Sequence, residues 1–291
     1  MVNRWKFTDY LNNKKTSEFH SQLEKMSEAF HKAQPSKNLP KVGFIADEIT
    51  NHLITGKFYE ETSLDRIFSY LETELLDATH GVAIDVGANI GNHTLYFQKK
   101  YQKVLSFEPH PETFSLLSIN TRHCPEVKCF NFGLSDTRKQ MKLYETAGNM
   151  GASSVMNSMN NSTGVDISLM RLDDVINELE IEKVHLIKID VEGHEPEALL
   201  GAQELITRDK PIILMERSSW EGSFDISDRA LNFLRGLGYI FHWEEPSPKR
   251  PILSQLIYLI RRWTIGVSTE VNWESGSTPP QARIAMLVAK L

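Results

Sequence analysis

Cysteine is almost missing from this 291-residue chain. Only Cys124 and Cys129 occur, too few for a disulfide framework and not at a zinc-type spacing. Both read as reduced packing residues. Long apolar runs are also lacking: none approaches the roughly 20 residues that span a bilayer. Residues Met1 to Lys15 scatter Trp5, Phe7 and Tyr10 among Asn and Lys without the continuous apolar stretch of a secretory signal, so the expected location is the cytoplasm. A basic surplus is lacking too, since 32 Lys and Arg face 38 Asp and Glu for a formal net charge of −6. Binding to phosphate backbones depends on such a surplus, so nucleic acid is not an expected partner. With 16 Gly and 12 Pro the chain is neither collagen-like nor of low complexity. What remains is 41% hydrophobic and 24% charged residues, the composition of a globular protein large enough to bury its own core.

Residues 1–54 read as an N-terminal helical extension, in which Phe19, Leu23, Met26 and Phe30 form one apolar stripe closed by Pro35 and Pro40. It would dock on the main domain or on a second subunit, which admits a homodimer. Residues 55–291 read as one α/β domain, with a first helix expected over Ser63 to Leu76. From residue 82 short apolar runs alternate with helical periods. Strands are expected at Val82 to Val86, Val104 to Phe107, Val127 to Phe132, His185 to Ile189, Ile212 to Met215, Tyr239 to Trp243 and Arg283 to Val288. Helices are expected at Asn92 to Lys100, Pro111 to Thr121, Leu172 to Leu179, Glu195 to Thr207 and Ile226 to Leu237. This alternation predicts a seven-stranded, mainly parallel sheet with helices on both faces. The stretch from Gln140 to Ser168, rich in Asn, Ser, Met and Gly, fits no such unit and reads as a substrate-facing flap. Residues 244–281 read as an insertion. Its apolar stripe Ile252, Leu256, Leu259, Ile260 and Trp263 lies beside Lys249, Arg250, Arg261 and Arg262, consistent with a helix on the sheet edge or with a weak membrane-surface contact through 249–263.

The sharpest signal is Val82-Ala-Ile-Asp85-Val-Gly87-Ala-Asn89-Ile-Gly91-Asn92-His93, a buried strand running through a glycine-bearing turn into a helix. Open α/β sheets bind ligands at such a place. A dinucleotide fingerprint needs glycines at relative positions 0, 2 and 5, whereas these fall at 0 and 4. No pyrophosphate cradle is evident. Gly87 and Gly91 allow close backbone approach to a smaller ligand, and Asp85 can accept from a cationic group, which suits an amino-acid-like moiety. The second strand ends at Glu108, placed to take both hydroxyls of a ribose. The segment Asn131-Phe132-Gly133-Leu134-Ser135-Asp136 follows the third strand. There Leu134 could pack on a purine and Ser135 or Asp136 could read its edge.

Together the DVGANIGN turn, the FEPHP strand end, NFGLSD and Ile187-Lys188-Ile189-Asp190-Val191-Glu192-Gly193-His194-Glu195 resemble the FkbM family of S-adenosylmethionine-dependent methyltransferases. Gly56-Lys-Phe-Tyr59-Glu60 is similar to that family's entry segment. The likeness spans about residues 55 to 245. It implies a class I methyltransferase (Rossmann-like) sheet with an antiparallel last strand, and methyl transfer from S-adenosyl-L-methionine to a hydroxyl of a sugar, surface glycan or secondary metabolite. Gly87, Asn89, Gly91 and Asn92 would cradle the methionine part, with Asp85 behind it, Glu108 on the ribose and Tyr59 alongside.

Holding an acceptor oxygen in line with a sulfonium methyl is most of the catalytic task. A general base would add about 10² to 10⁴ in rate. Asp190 is the first choice for that base or for a group that orients the acceptor, with His194 second and Glu192 behind it; Glu192 and Glu195 could instead cap the helix start. Lys188 and Glu216 are further candidates for the pocket wall. No third ligand fixes a metal, and none is assigned. Two rival readings are a non-catalytic S-adenosylmethionine-binding or scaffold protein and a nicotinamide-dependent oxidoreductase. The second is opposed by the glycine spacing and by the lack of a Tyr-x-x-x-Lys pair.

Overall fold

The computed structural model describes residues 43, 48–72, 81–146, 149–154, 164–219, 223–244 and 273–291. The stripe from Phe19 to Phe30 and the basic cluster at 249–263 lie outside the described residues.

Two short helices lead in, α1 (Glu48–Ile54) and α2 (Glu61–Tyr70). The alternating part then runs β1 (Val82–Val86), α3 (Asn92–Phe97), β2 (Lys103–Phe107), α4 (Pro111–Thr121) and β3 (Val127–Phe130). A meander follows, made of β4 (Gly133–Leu134), β5 (Lys139–Thr146), β6 (Asn149–Ser154) and β7 (Val165–Met170). The chain returns to the main sheet through α5 (Leu172–Glu178), β8 (Leu186–Ile189), α6 (Glu195–Leu200), α7 (Gln203–Asp209), β9 (Ile212–Arg217), α8 (Asp225–Gly236), β10 (Ile240–Glu244), β11 (Trp273–Gly276) and β12 (Ile284–Lys290).

The main sheet has the order β11-β10-β12-β9-β8-β1-β2-β3. β3, β2, β1, β8 and β9 are parallel neighbours, while β12 inserts antiparallel between β9 and β10. This is the class I methyltransferase arrangement with its reversed strand near one edge. The expected seven strands become eight because Trp273–Gly276, inside the supposed insertion, pairs with the open edge of β10. An unpaired edge is a ready template for a further strand. Trp273 also stacks on Tyr70 at 4.3 Å, and Arg66 grips both oxygens of Glu244 at 2.7 and 2.8 Å, which ties α2 to this edge.

Period-2 alternation divides the core between the two faces of the sheet. Ile84 and Val86 of β1, with Ile187 and Ile189 of β8, pack on the face covered by α5, α6, α7 and α8. Ala83 and Leu186 pack on the other, against α1, α2 and α3. Asp85 and Lys188, paired in register across β1 and β8, share that second face.

The presumed flap is a second, four-stranded sheet of order β4-β7-β5-β6. The single helix expected over Glu195 to Thr207 is two helices. The carboxylate of Asp173 accepts from the backbone amides of Glu204 and Leu205 at 3.1 and 2.9 Å and so caps α7 from outside. Gly201, at the break, lies against the Ser135 carbonyl so closely that a β-carbon there would sit 2.0 Å from its oxygen.

Candidate active site

The carboxyl ends of β1, β2 and β8 open into a cavity of about 300 Å³. Its base is the turn after β1, where Gly87, Asn89 and Gly91 all take positive φ (76°, 50° and 97°). The amides of Gly87 and Ala88 both donate to the Phe107 carbonyl at 3.0 Å, which holds the turn against β2. Gly87 is required twice over, by its φ and by its contact with the Asp190 backbone, where a β-carbon would lie 1.9 Å from the carbonyl oxygen.

Glu108 ends β2 and lines the cavity. The Asn89 amide donates to its Oε2 and the His110 amide to its Oε1, each at 2.9 Å. One bond per oxygen leaves acceptor capacity on both. Burial pushes its carboxyl up to about 7, against the lowering effect of the two amides and of Lys188.

The remaining lining divides by chemistry. Pro109, Gly133, Leu134, Leu143, Ile167 and Leu169 form an apolar section, supplied largely by the second sheet. Glu60, His93, Lys188, Asp190, Glu192, Glu216 and Arg283 form a charged one. Lys188 Nζ lies 3.5 Å from Asp85 and 3.4 Å from Asp190, and donates to the Gly87 carbonyl at 3.4 Å. Arg283 Nε lies 2.7 Å from Glu216. Burial and the nearby Asp190 raise the carboxyls of Glu60, Glu192 and Glu216, that of Glu192 to about 7. Five described non-glycine residues have positive φ, and three of them, Glu60, Asn89 and Glu192, line this cavity. Backbone strain of this kind collects where function holds it in place.

Of the residues singled out from sequence, Tyr59, Gly87, Asn89, Asn92, Glu108, Asp190, Glu192 and His194 line the cavity together. Asp85, Gly91, Ser135 and Asp136 do not. Asp85 is fully buried beneath the turn, because its place in the alternation turns it toward α3, where Thr94 Oγ1 donates to its Oδ2 at 2.7 Å. Gly91 serves packing: a β-carbon there would meet Leu117 at 2.9 Å. Ser135 donates to Asp136 at 2.9 Å and its hydroxyl lies 2.9 Å from His194 Nε2, so the pair orients the His194 ring. Glu195 closes its own turn, accepting from the amides of Gly193 and Val191 at 3.1 and 3.3 Å.

Asn92 lines the cavity with its side chain already engaged. Its Oδ1 accepts from the Tyr59 amide at 2.8 Å and its Nδ2 donates to the Tyr59 carbonyl at 3.1 Å. This clasp seats the segment before α2 over the cavity and brings Tyr59 and Glu60 with it. Sequence reasoning missed Glu60, His93 and Arg283. The neighbours of each were in view, with Tyr59 beside Glu60, Asn92 beside His93 and the last strand beginning at Arg283, but only the topology brings these segments together.

The Methyltransferase FkbM domain model matches residues 85–241. The chain belongs to the FkbM methyltransferase family. Methyltransferase sdnD of Sordaria araneosa is 32% identical, the match covering 42% of this chain and 60% of that protein. Hexuronic acid methyltransferase AglP of Haloferax volcanii is 31% identical over 40% of this chain and 48% of its own. The 31-O-demethyl-FK506 methyltransferase FkbM of Streptomyces tacrolimicus is 30% identical, with 50% and 68% covered. The chain thus spans less than two thirds of the length of the first two. A solved methyltransferase FkbM from Methylobacillus flagellatus aligns with a TM-score of 0.41 at 18% identity, covering 56% of this chain and 39% of that one.

The cofactor that membership of this family implies for the chain is S-adenosyl-L-methionine. The residues present suit that molecule: a turn that offers backbone rather than side chain at Gly87, a carboxylate at Glu108 with acceptor capacity left over, and an apolar section beside it. Among the described residues no group of three or more His, Cys, Asp or Glu is arranged to hold a metal ion, and no helix is long and apolar enough to cross a membrane.

Proposed function

We propose that this FkbM chain transfers a methyl group to a hydroxyl oxygen of a sugar, surface glycan or secondary metabolite. One observation carries the reading: the glycine turn and Glu108 share a single cavity with Asp190 and Glu192. Bound S-adenosylmethionine supplies an activated methyl on a sulfonium. The protein's part is to seat it, to place the acceptor and to remove one proton.

Glu108 would accept from the ribose hydroxyls, the Gly87–Asn89 backbone would face the methionine part, and Leu134 with Leu169 would cover the purine. Asp190 has its charge held by Lys188 at 3.4 Å, which suits it to orient an acceptor hydroxyl by accepting from it. Glu192, on the same turn and with its carboxyl pushed up to about 7 by burial and by Asp190, suits proton removal at neutral pH. Of the two roles read for Asp190 from sequence, base or acceptor-orienting group, this takes the second and puts Glu192 forward as the base. His194, whose Nε2 lies 2.9 Å from the Ser135 hydroxyl, suits a positioning role.

The test is mass spectrometry on a panel of hydroxylated acceptors incubated with protein and S-adenosylmethionine. A 14 Da gain on a hydroxyl is expected; binding of the cofactor with no methylated product from any acceptor would favour the non-catalytic reading.

A further inference from the structure

The charged section of the cavity carries more acid than the methyl donor can neutralise. Among the described residues Glu60, Glu108, Asp190, Glu192 and Glu216 line the cavity with Lys188 and Arg283, so that above pH 7, where Glu108 and Glu192 are ionised, five carboxylates face two cations. Neither cation is available to a ligand. Lys188 is shared among Asp85, Asp190 and the Gly87 carbonyl, and Arg283 is committed to Glu216 at 2.7 Å. The donor contributes a net single positive charge, since its ammonium and carboxylate cancel and the sulfonium remains.

His93 supplies an independent observation. It lines the cavity, its side chain is only 10% exposed, and its Nε2 is a buried atom with no hydrogen-bond partner among the described residues. That nitrogen lies 3.8 Å from Glu60 Oε2, too long for a direct hydrogen bond. Burial, reinforced by Lys188, holds its pKa well below the usual imidazole range, so it does not neutralise Glu60. A buried polar atom without a partner is costly unless a ligand satisfies it.

We infer that the acceptor is a cationic polyol, an amino sugar or aminocyclitol, whose ammonium sits against Glu60 and whose hydroxyls meet His93, Asp190 and Glu192. The inference rests on the methyl-transfer reading and names its substrate class. An ammonium supplies the missing charge, and hydroxyls can both donate to carboxylates and satisfy an imidazole nitrogen. A uronate or phosphate would enter a field of its own sign, where the two cations among the described lining residues are already paired with carboxylates.

The experiment uses the full chain with S-adenosylhomocysteine bound and three methyl glycosides of one configuration: a 2-amino-2-deoxyglucoside, the glucoside and the glucuronide. Binding is read by ligand-observed saturation-transfer NMR titration, and methyl transfer is followed separately by mass spectrometry with S-adenosylmethionine. The amino sugar is expected to bind at least tenfold more tightly than the neutral sugar, and the glucuronide more weakly than either. Glu60→Gln should erase the amino-sugar preference while leaving S-adenosylhomocysteine affinity within twofold. Equal or tighter binding of the glucuronide, a preference that survives Glu60→Gln, or no binding of the amino sugar would each overturn the inference. Methylation of the neutral sugar without amino-sugar preference would leave the methyl-transfer reading standing and sink only this one. An amino-sugar preference that Glu60→Gln erases, with no methylated product from any acceptor, would keep the cationic-polyol site and overturn the methyl-transfer reading on which its role as acceptor rests.

Discussion

Gly87 and Asp190 touch backbone to backbone: a β-carbon on Gly87 would fall 1.9 Å from the Asp190 carbonyl oxygen. The end of β1, proposed to face the cofactor, and the end of β8, proposed to face the acceptor, are therefore held in one fixed relation. Gly87→Ala must push these strand ends apart and also place a side chain at φ +76°. It is expected to destabilise the fold by about 1 to 3 kcal/mol and to weaken S-adenosylhomocysteine binding more than tenfold. Thermal melts and isothermal titration measure the two effects. Wild-type affinity in a folded Gly87→Ala protein would mean that the cofactor does not use this turn.

Glu108 predicts a pH dependence of cofactor affinity. Its carboxyl is raised to about 7, with burial the largest cause, and only the ionised form keeps both oxygens as acceptors for a ribose. Affinity for S-adenosylhomocysteine should be level above pH 7 and fall toward tenfold per pH unit below it. The stability contribution runs the other way. A carboxyl raised on folding favours the folded ligand-free protein below its unfolded value, and that contribution is lost as pH rises through about 7. Glu108→Gln should bind at least tenfold more weakly, with a level profile. An affinity unchanged between pH 6 and 8 in the wild type would remove Glu108 from the ribose.

Asn92 predicts an effect transmitted through backbone. Its two hydrogen bonds to Tyr59 link α3 to the segment carrying Tyr59 and Glu60, beside the ring contact of Tyr96 with Phe58. Asn92→Ala removes both hydrogen bonds and leaves the Tyr59 amide and carbonyl to find other partners, at a cost of about 1 to 3 kcal/mol. Hydrogen exchange should quicken at residues 57–61 while β1 and β2 keep their protection. Acceptor KM should rise more than kcat falls. Unchanged exchange in that segment would show that the clasp is not what holds it.

The main sheet was legible in sequence because its strands are short buried runs between helical periods, so boundaries such as Val82–Val86 and Pro111–Thr121 were readable directly. The second sheet was not, since β4 is two residues long, β6 runs through Asn149-Met-Gly-Ala-Ser-Ser154, and β4 and β5 find their partner β7 only beyond it. The split between α6 and α7 escaped notice because its cap, Asp173, comes from another helix. Within the site, residue type was a better guide than orientation. Asp85 carried the right chemistry, but Thr94 of α3 holds its short side chain beneath the turn, whereas Lys188, on the same face of the sheet, reaches the cavity. Glu60, His93 and Arg283 are isolated in sequence and meet only through the crossovers of the sheet.

Glu192 gives the prediction that bears most directly on chemistry. It stands at φ 50° just before Gly193 at φ 98°, and burial, then the charges of Asp190, Glu216 and Glu195, raise its carboxyl to about 7. A base must be ionised to take a proton, so turnover with saturating cofactor should rise with pH through about 7 and then level off. Saturation matters, because it removes the separate influence of Glu108 on binding. Glu192→Gln should lower kcat by about 10² to 10⁴, abolish the inflection and leave S-adenosylhomocysteine affinity nearly unchanged. Asp190→Asn, which removes an orienting acceptor but keeps the base, should act mainly on acceptor KM and retain an inflection, moved to lower pH because the charge of Asp190 no longer raises Glu192. If the inflection disappears in Asp190→Asn and persists in Glu192→Gln, the two roles are exchanged and Asp190 is the base.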